Sequence, residues 1–270
     1  MKIGNILLLS IAILSLLAPA AYGQEEGESD LAKKTQNPVS DLISLPFQNN
    51  TNFGIGPHDR TQNVLNIQPV IPFSLSEKWN IITRTIVPYI YQPDITKNSG
   101  GELGIGDINT TLFLSPASPG KIIWGAGPIF SFPTTTNEKL GTEKWCIGPS
   151  AVALTMHGPW VAGVLINNVW SFAGRSDRAN VNQMLIQYFI NYNLKKGWYL
   201  SSAPIITANW KADGDDTWLV PFGGGVGKVF KIGKQPMNAS VQAFYNAIHP
   251  DDAPYPNWTL RLQLQFLFPK

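Results

Sequence analysis

Three histidines, one cysteine and one glycine run are the residues whose types first invite a search for chemistry. His58, His157 and His249 stand far apart, and no pair has metal-ligand spacing. Cys146 is the only cysteine, so neither a cysteine cluster nor an internal disulfide can form. No metal and no cofactor is expected. A serine hydrolase needs a nucleophile activated by a histidine that a third group orients. No G-x-S-x-G elbow occurs, and the histidines are expected in connections, His58 and His249 in long loops and His157 in a tight turn. The chain reads as a non-enzyme, with an envelope lipid or ester hydrolase acting through His249 as the weaker alternative. Gly223-Gly224-Gly225-Val226-Gly227-Lys228 fails as a phosphate loop. Phe222 stands where the first glycine is needed, and Val229 where Ser or Thr would hold magnesium. Glycines here suit a strand that coils or packs closely against something inside it.

The remaining polar chemistry is spread over alternating segments. Asn66, Gln68, Arg84, Asp107, Asn109, Gln187, Asn191, Lys228, Arg261, Gln263 and Gln265 fall on the polar side of such segments and are expected to line a lumen. Ionisable groups are costly against lipid, so Arg84 and Arg261 in particular should point inward. They could coordinate an anionic or polar permeant, or pair with Asp107, Glu102 or the acidic leader and fill a narrow lumen.

The elements that must position these side chains are strands. Asn257 to Lys270 reads NWTLRLQLQFLFPK, in which Trp258, Leu260, Leu262, Leu264, Phe266 and Phe268 alternate with Thr259, Arg261, Gln263 and Gln265. That period of two gives one apolar and one polar face. About eleven residues with aromatics at both ends is the length of a membrane-crossing barrel strand. Turn residues set off similar runs at 42–52, 63–75, 79–92, 102–114, 121–132, 144–156, 160–173, 181–193, 198–210, 217–231 and 237–248, about twelve strands with the last. Their connections alternate long and short, as in an up-and-down barrel with both ends in the periplasm; a soluble sandwich has no reason to sort loops by parity. If the barrel closes, the last strand pairs with both 237–248 and 42–52. Pro69, Pro72, Pro88, Pro128, Pro149, Pro204 and Pro221 lie within these runs. Proline gives no ladder hydrogen bond and a closed barrel has no edge, so several must mark bulges or rims.

Composition agrees. Charged residues are 14% of the 270 and net charge is +2, so nucleic acid is not a natural partner. A hydrophobic content of 44% with mean hydropathy of -0.03 excludes a helical membrane bundle but suits strands whose two faces average out. Nine Trp, eight Tyr and thirteen Phe would supply interfacial girdles, or, in a soluble β-sandwich, its core. At the start, Lys2, the apolar run Ile6 to Leu17 and the small residues Ala21-Tyr22-Gly23 read as a signal peptide over 1–23, cleaved near Gly23. No cysteine follows, so no lipoprotein anchor is expected. Residues 24–41 form a leader, with a short helix around Leu31 to Gln36 that stops before Asn37-Pro38. It either folds into the lumen as a plug or stays a mobile periplasmic segment. Residues 42–270 make the barrel.

The stretches QNPVSDLISLPFQNNTNFGIGP, VLNIQPVIPFSL, WNIITRTIVPYIYQP, GDINTTLFLSP, GPSAVALTMHGPW and RLQLQFLFPK resemble a family of bacterial outer-membrane transporter-like barrels of unknown function. Its members are often mislabelled "neuromedin U", and it is related to a barrel family labelled for a MetA pathway of phenol degradation. The resemblance covers nearly all of the chain after residue 23 and implies a barrel and a transporter role, with no catalytic residue to carry over.

The expectation is therefore an all-β, transmembrane, up-and-down antiparallel β-barrel in the bacterial outer membrane. It would act as a channel or transporter for small solutes, hydrophobic or aromatic ones among them. The alternative is a structural or surface-interaction barrel with a blocked lumen. Expected partners are outer-membrane lipid, the barrel-assembly machinery through the C-terminal strand Trp258 to Phe268, and a small-molecule permeant.

Overall fold

A computed structural model describes residues 25–250 and 254–269; the signal peptide expected over 1–23 lies outside them. After one helix, α1 (Glu25–Thr35), the chain makes fifteen strand segments. Three pairs of these run on across short interruptions, giving twelve staves: β1 (Ile43–Ile55), β2 (Arg60–Ile67 then Val70–Ser74), β3 (Trp79–Pro93), β4 (Gly101–Ile105 then Ile108–Pro116), β5 (Ile122–Phe132), β6 (Lys144–His157), β7 (Trp160–Gly174), β8 (Asn182–Asn193), β9 (Trp198–Ser202 then Ile206–Asn209), β10 (Trp218–Ile232), β11 (Gln235–Ile248) and β12 (Trp258–Phe268). Each pairs antiparallel with the next, and β12 pairs with β1 in unbroken register from Phe268 opposite Ile43 to Trp258 opposite Phe53. The sheet closes on itself, so no edge is left to aggregate.

Every expected strand is present, with ends displaced by no more than about three residues. Two expectations need correction. His157 is the last residue of β6, paired opposite Trp160, rather than part of the turn. The first long connection, 56–59, is no longer than the tight turn 75–78, so the sorting by length begins only at 94–100. From there, the end bearing 94–100, 133–143, 175–181, 210–217 and 249–257 is the loop end. The end bearing 117–121, 158–159, 194–197 and 233–234 is the turn end.

The prolines explain how the staves bend. Pro69 and Pro204 fall in the interruptions of β2 and β9, and Pro221 at the register shift of β10 against β11. Pro88 lies opposite the break of β4 at Gly106-Asp107 and gives its carbonyl to the Gly106 amide at 3.0 Å. Pro128 and Pro149 face each other across β5 and β6, where the β6–β7 ladder skips Gly148 and Pro149. A residue without an amide thus sits where the ladder is already broken.

Alternation sorts the two faces. β6 is the clearest case, its residues alternating buried and exposed from Lys144 to Thr155. All nine tryptophans point outward, and they gather at the two rims. Trp79, Trp124, Trp160 and Trp198 ring the turn end; Trp145, Trp170, Trp210, Trp218 and Trp258 ring the loop end. Several meet an aromatic neighbour edge-on, as Trp160 does Tyr192 with centroids 4.7 Å apart and Trp210 does Trp218 at 5.5 Å. Between the rims the outer face carries exposed Ile147, Val164, Ile166, Ile190 and Leu200. Two aromatic girdles bounding an apolar band are what a bilayer selects in a barrel wall.

Candidate functional site

The interior is divided along its axis. At the turn end it is apolar: Ile82, Phe113, Val152, Leu154, Val161, Leu165 and Phe189 converge from the wall on Val39. Beside them Tyr199, Val229 and Leu267 pack on Ala32 and Leu42. The segment after α1 therefore lies inside the staves. Its helix ends at Thr35, ahead of Asn37-Pro38 as the proline rule requires. Gln36 then exchanges two side-chain hydrogen bonds with Asn193 on β8, at 2.9 and 3.1 Å.

Above this the lining turns polar. A cavity of about 330 Å³ occupies the loop-end half, and a smaller one of about 150 Å³ lies against residues 34–42. Four side chains line both: Gln48 from β1, Gln68 at the break of β2, Arg84 from β3 and Gln187 from β8. They form a polar collar between the chambers. Arg84 donates from Nη2 to Gln68 Oε1 at 3.0 Å. Gln187 Nε2 reaches the Ala203 carbonyl at 3.4 Å, which the break at Pro204 has freed from the ladder. Arg261 takes the same carbonyl with Nη1 at 2.8 Å, gives Nε to Asn50 Oδ1 at 2.9 Å and lies 4.7 Å over the Phe244 ring. The wall of the larger cavity also carries an apolar patch of Ile86, Ile129, Val169, Leu185 and Leu219.

The residues expected to line the lumen fall as follows. Asn66, Gln68, Arg84, Asn109 and Gln187 border the larger cavity. Gln263 and Gln265 border the smaller one, and Gln265 Oε1 accepts from buried Asn238 at 3.1 Å. Asn191 is inward and buried. Asp107 is inward but pinned, with Oδ2 accepting the Thr142 amide and hydroxyl at 2.6 and 2.8 Å. Lys228 is a correction. The inward positions of β10 are Gly223, Gly225, Gly227 and the fully buried Val229, so Lys228 points outward. There its ammonium lies 5.0 Å from the Trp198 ring centroid at the turn-end girdle, where a long basic side chain reaches the headgroup layer. The ion pairs considered for Arg84 and Arg261 are also absent among the described residues. Glu102 instead meets Asn137 at 3.2 Å and Lys139 at 4.0 Å.

Gln48 was not singled out in the sequence, although it shares the inward parity of Ser44, Pro46 and Asn50 in β1, a signal that could have found it. None of the three histidines borders either cavity. Cys146 is buried on the inner face of β6.

No protein-family model and no curated protein sequence matches the chain, so the family named above rests on resemblance alone. Solved structures do match. The COG4313 outer membrane channel from Pseudomonas putida F1 superposes with a TM-score of 0.64 at 17% identity, over 84% of this chain and 94% of that one. Outer membrane phospholipase A from Escherichia coli matches at 0.44 and 12%, over 92% of this chain and 99% of that one. The CymD monoaromatic hydrocarbon channel matches at 0.44 and 10%, over 92% and 93%. At these identities the likeness is one of fold: the chain is built as a closed outer-membrane β-barrel.

Proposed function

We propose that this protein is an outer-membrane channel for small solutes, with the loop end outside and the turn end in the periplasm. One observation carries the reading: two chambers share a polar collar, and the lower is bounded by residues 34–42, the end of the chain's own leader and its junction with the barrel. A lumen meant only as structure would be filled by wall side chains, as in small barrels. Here the obstruction is a separate segment that could leave. It holds on by the Gln36–Asn193 amide pair and by the apolar contacts of Ala32, Val39 and Leu42. The overall shape, close to that of a solved outer membrane channel, supports the same reading. The apolar patch of Ile86, Ile129, Val169, Leu185 and Leu219 would favour solutes with a hydrophobic or aromatic body.

Planar-bilayer recording on purified protein, with and without residues 24–41, tests this. The full chain should be silent or give small, flickering steps, and the truncated chain a larger steady conductance. The blocked-barrel alternative draws on the tight seating of Val39 among Phe113, Ile82 and Phe189. It would prevail if both proteins insert and neither conducts.

A further inference from the structure

Arg84 and Arg261 are the only cations on the membrane-depth inner wall among the described residues with no anionic partner beside them. No ion pair includes either, and their acceptors, Gln68, Asn50 and the Ala203 carbonyl, are all neutral. Arg261 shares the Ala203 carbonyl with Gln187, which borders the same two cavities as Arg84. Arg261 is 6% exposed; its two hydrogen bonds and its seat over Phe244 give it a holding role across the break of β9. Arg84 differs. It borders both cavities and makes one hydrogen bond among the described residues, although a guanidinium carries five N–H donors in a flat fork. Two like charges confined in a dielectric lower than water repel each other, and an anion bound between or beside them relieves both. The amides of Gln48, Gln68 and Gln187 stand around Arg84 as further donors, and the apolar patch lies on the wall of the same larger cavity.

We propose that the collar is a binding site for small organic carboxylates. The carboxylate sits on Arg84, with Arg261 strengthening the field, and the apolar body of the solute lies along Ile86, Ile129 and Leu185. A planar carboxylate matches the guanidinium fork better than a hydroxyl or an amide does. That such an anion also crosses the membrane rests on the channel reading; its binding does not.

Benzoate and benzyl alcohol, which share an apolar ring and differ in charge, are the probes. Calorimetric titration into the full chain in neutral detergent should give benzoate the tighter binding by about tenfold or more. Arg84→Gln should remove that preference, with Arg84→Lys restoring part of it, and retained heat-modifiable gel migration would establish that each variant is folded. Equal affinity for the two probes, no benzoate binding, or a folded Arg84→Gln protein that still prefers benzoate would overturn the proposal. If Arg84→Gln does not fold, the comparison of probes on the unaltered protein decides. In bilayers, Arg84→Gln should shift the reversal potential of the protein lacking residues 24–41 towards cation preference. Benzoate binding without conductance would keep the site and end the channel reading; conductance without benzoate binding would do the reverse.

Discussion

Single residues in this barrel are set by which face they take, and Lys228 and Gly227 show how that is decided. In the sequence, alternation, with Lys228 taken on the polar side of its segment, points it inward. The three inward glycines of β10 carry no side chain to reveal the parity of the strand, and Val229 looks like a lipid-facing residue. Val229 nevertheless faces inward, because the leader brings Leu42 and Ala32 into the lumen beside it. Gly227 makes that packing possible. A β-carbon there would stand 2.2 Å from Cζ of Tyr199, whose ring is buried and whose hydroxyl donates to Asn238 Oδ1 at 2.8 Å. Gly227→Ala is therefore expected to destabilise the folded barrel by about 1–3 kcal/mol, the usual cost of overpacking. Urea titration followed by tryptophan fluorescence would measure it. In a Tyr199→Ala background the added methyl should cost almost nothing; an undiminished cost there would mean that the strain lies in the strand and not against the ring. Most other lumen residues were legible, and β12 is the plainest case, with apolar and polar residues alternating from Trp258 to Phe266.

At the scale of elements, the strands could be read because period-two patterning and turn punctuation coincide at nearly every boundary. Most of the prolines that complicated that reading turn out to sit where ladders break, as at Gln68-Pro69, Ala203-Pro204-Ile205 and the Pro128–Pro149 pair, while Pro72 lies within the continuous pairing of β2 with β3. Residues 31–42 were not legible in the same way. LAKKTQNPVSDL has neither a strand pattern nor a long apolar stripe, and its place depends on a complementary surface contributed by eight staves far apart in sequence. Val39 is the side chain at which that complementarity can be tested. It is 6% exposed, against Phe113, Ile82, Leu165 and Phe189. Val39→Asp would set a carboxylate in an apolar nest, a penalty of several kcal/mol unless the segment moves out. The segment has few other ties, so the expected result is release. In the variant, limited proteolysis should cut between residues 30 and 42 while the staves stay protected. Conductance should approach that of protein lacking residues 24–41. Protease resistance equal to that of the unaltered protein would mean that the hydrogen bonds from Gln36 hold the segment in place without the apolar nest.

For the molecule as a whole, the closed sheet fixes the wall, while the loop end is tied by charge, and pH can separate the two. Arg175 pairs with Glu143 at 3.1 Å and with Asp177, and Arg178 reaches Glu143 at 3.4 Å, joining connection 175–181 to the end of 133–143. Lys144 Nζ adds a bond to the Arg175 carbonyl at 2.6 Å. Glu143 Oε2 is buried and makes these ionic contacts without a well-aligned hydrogen bond; the aligned one runs from Arg175 Nη1 to Oε1 at 3.2 Å. The side-chain hydrogen bond from Arg175 holds the Asp177 carboxyl below its ordinary 3.8. A carboxyl with a depressed native value contributes its stabilisation fully above the unfolded value and loses it as pH falls through the native one. Asp177 is exposed and its pairing is screened by salt, so the effect belongs to the loops and leaves the barrel intact. Hydrogen exchange at neutral pH should find the amides of 175–181 less protected in Arg175→Met than in the unaltered protein. As pH falls through the lowered Asp177 value, that difference should shrink. Heat-modifiable migration, which reports the closed sheet, should be the same for both proteins across the range. Equal loop protection in the two proteins at neutral pH would assign the tie to the Lys144–Arg175 backbone contact, which Arg175→Met leaves in place, and not to the carboxylates.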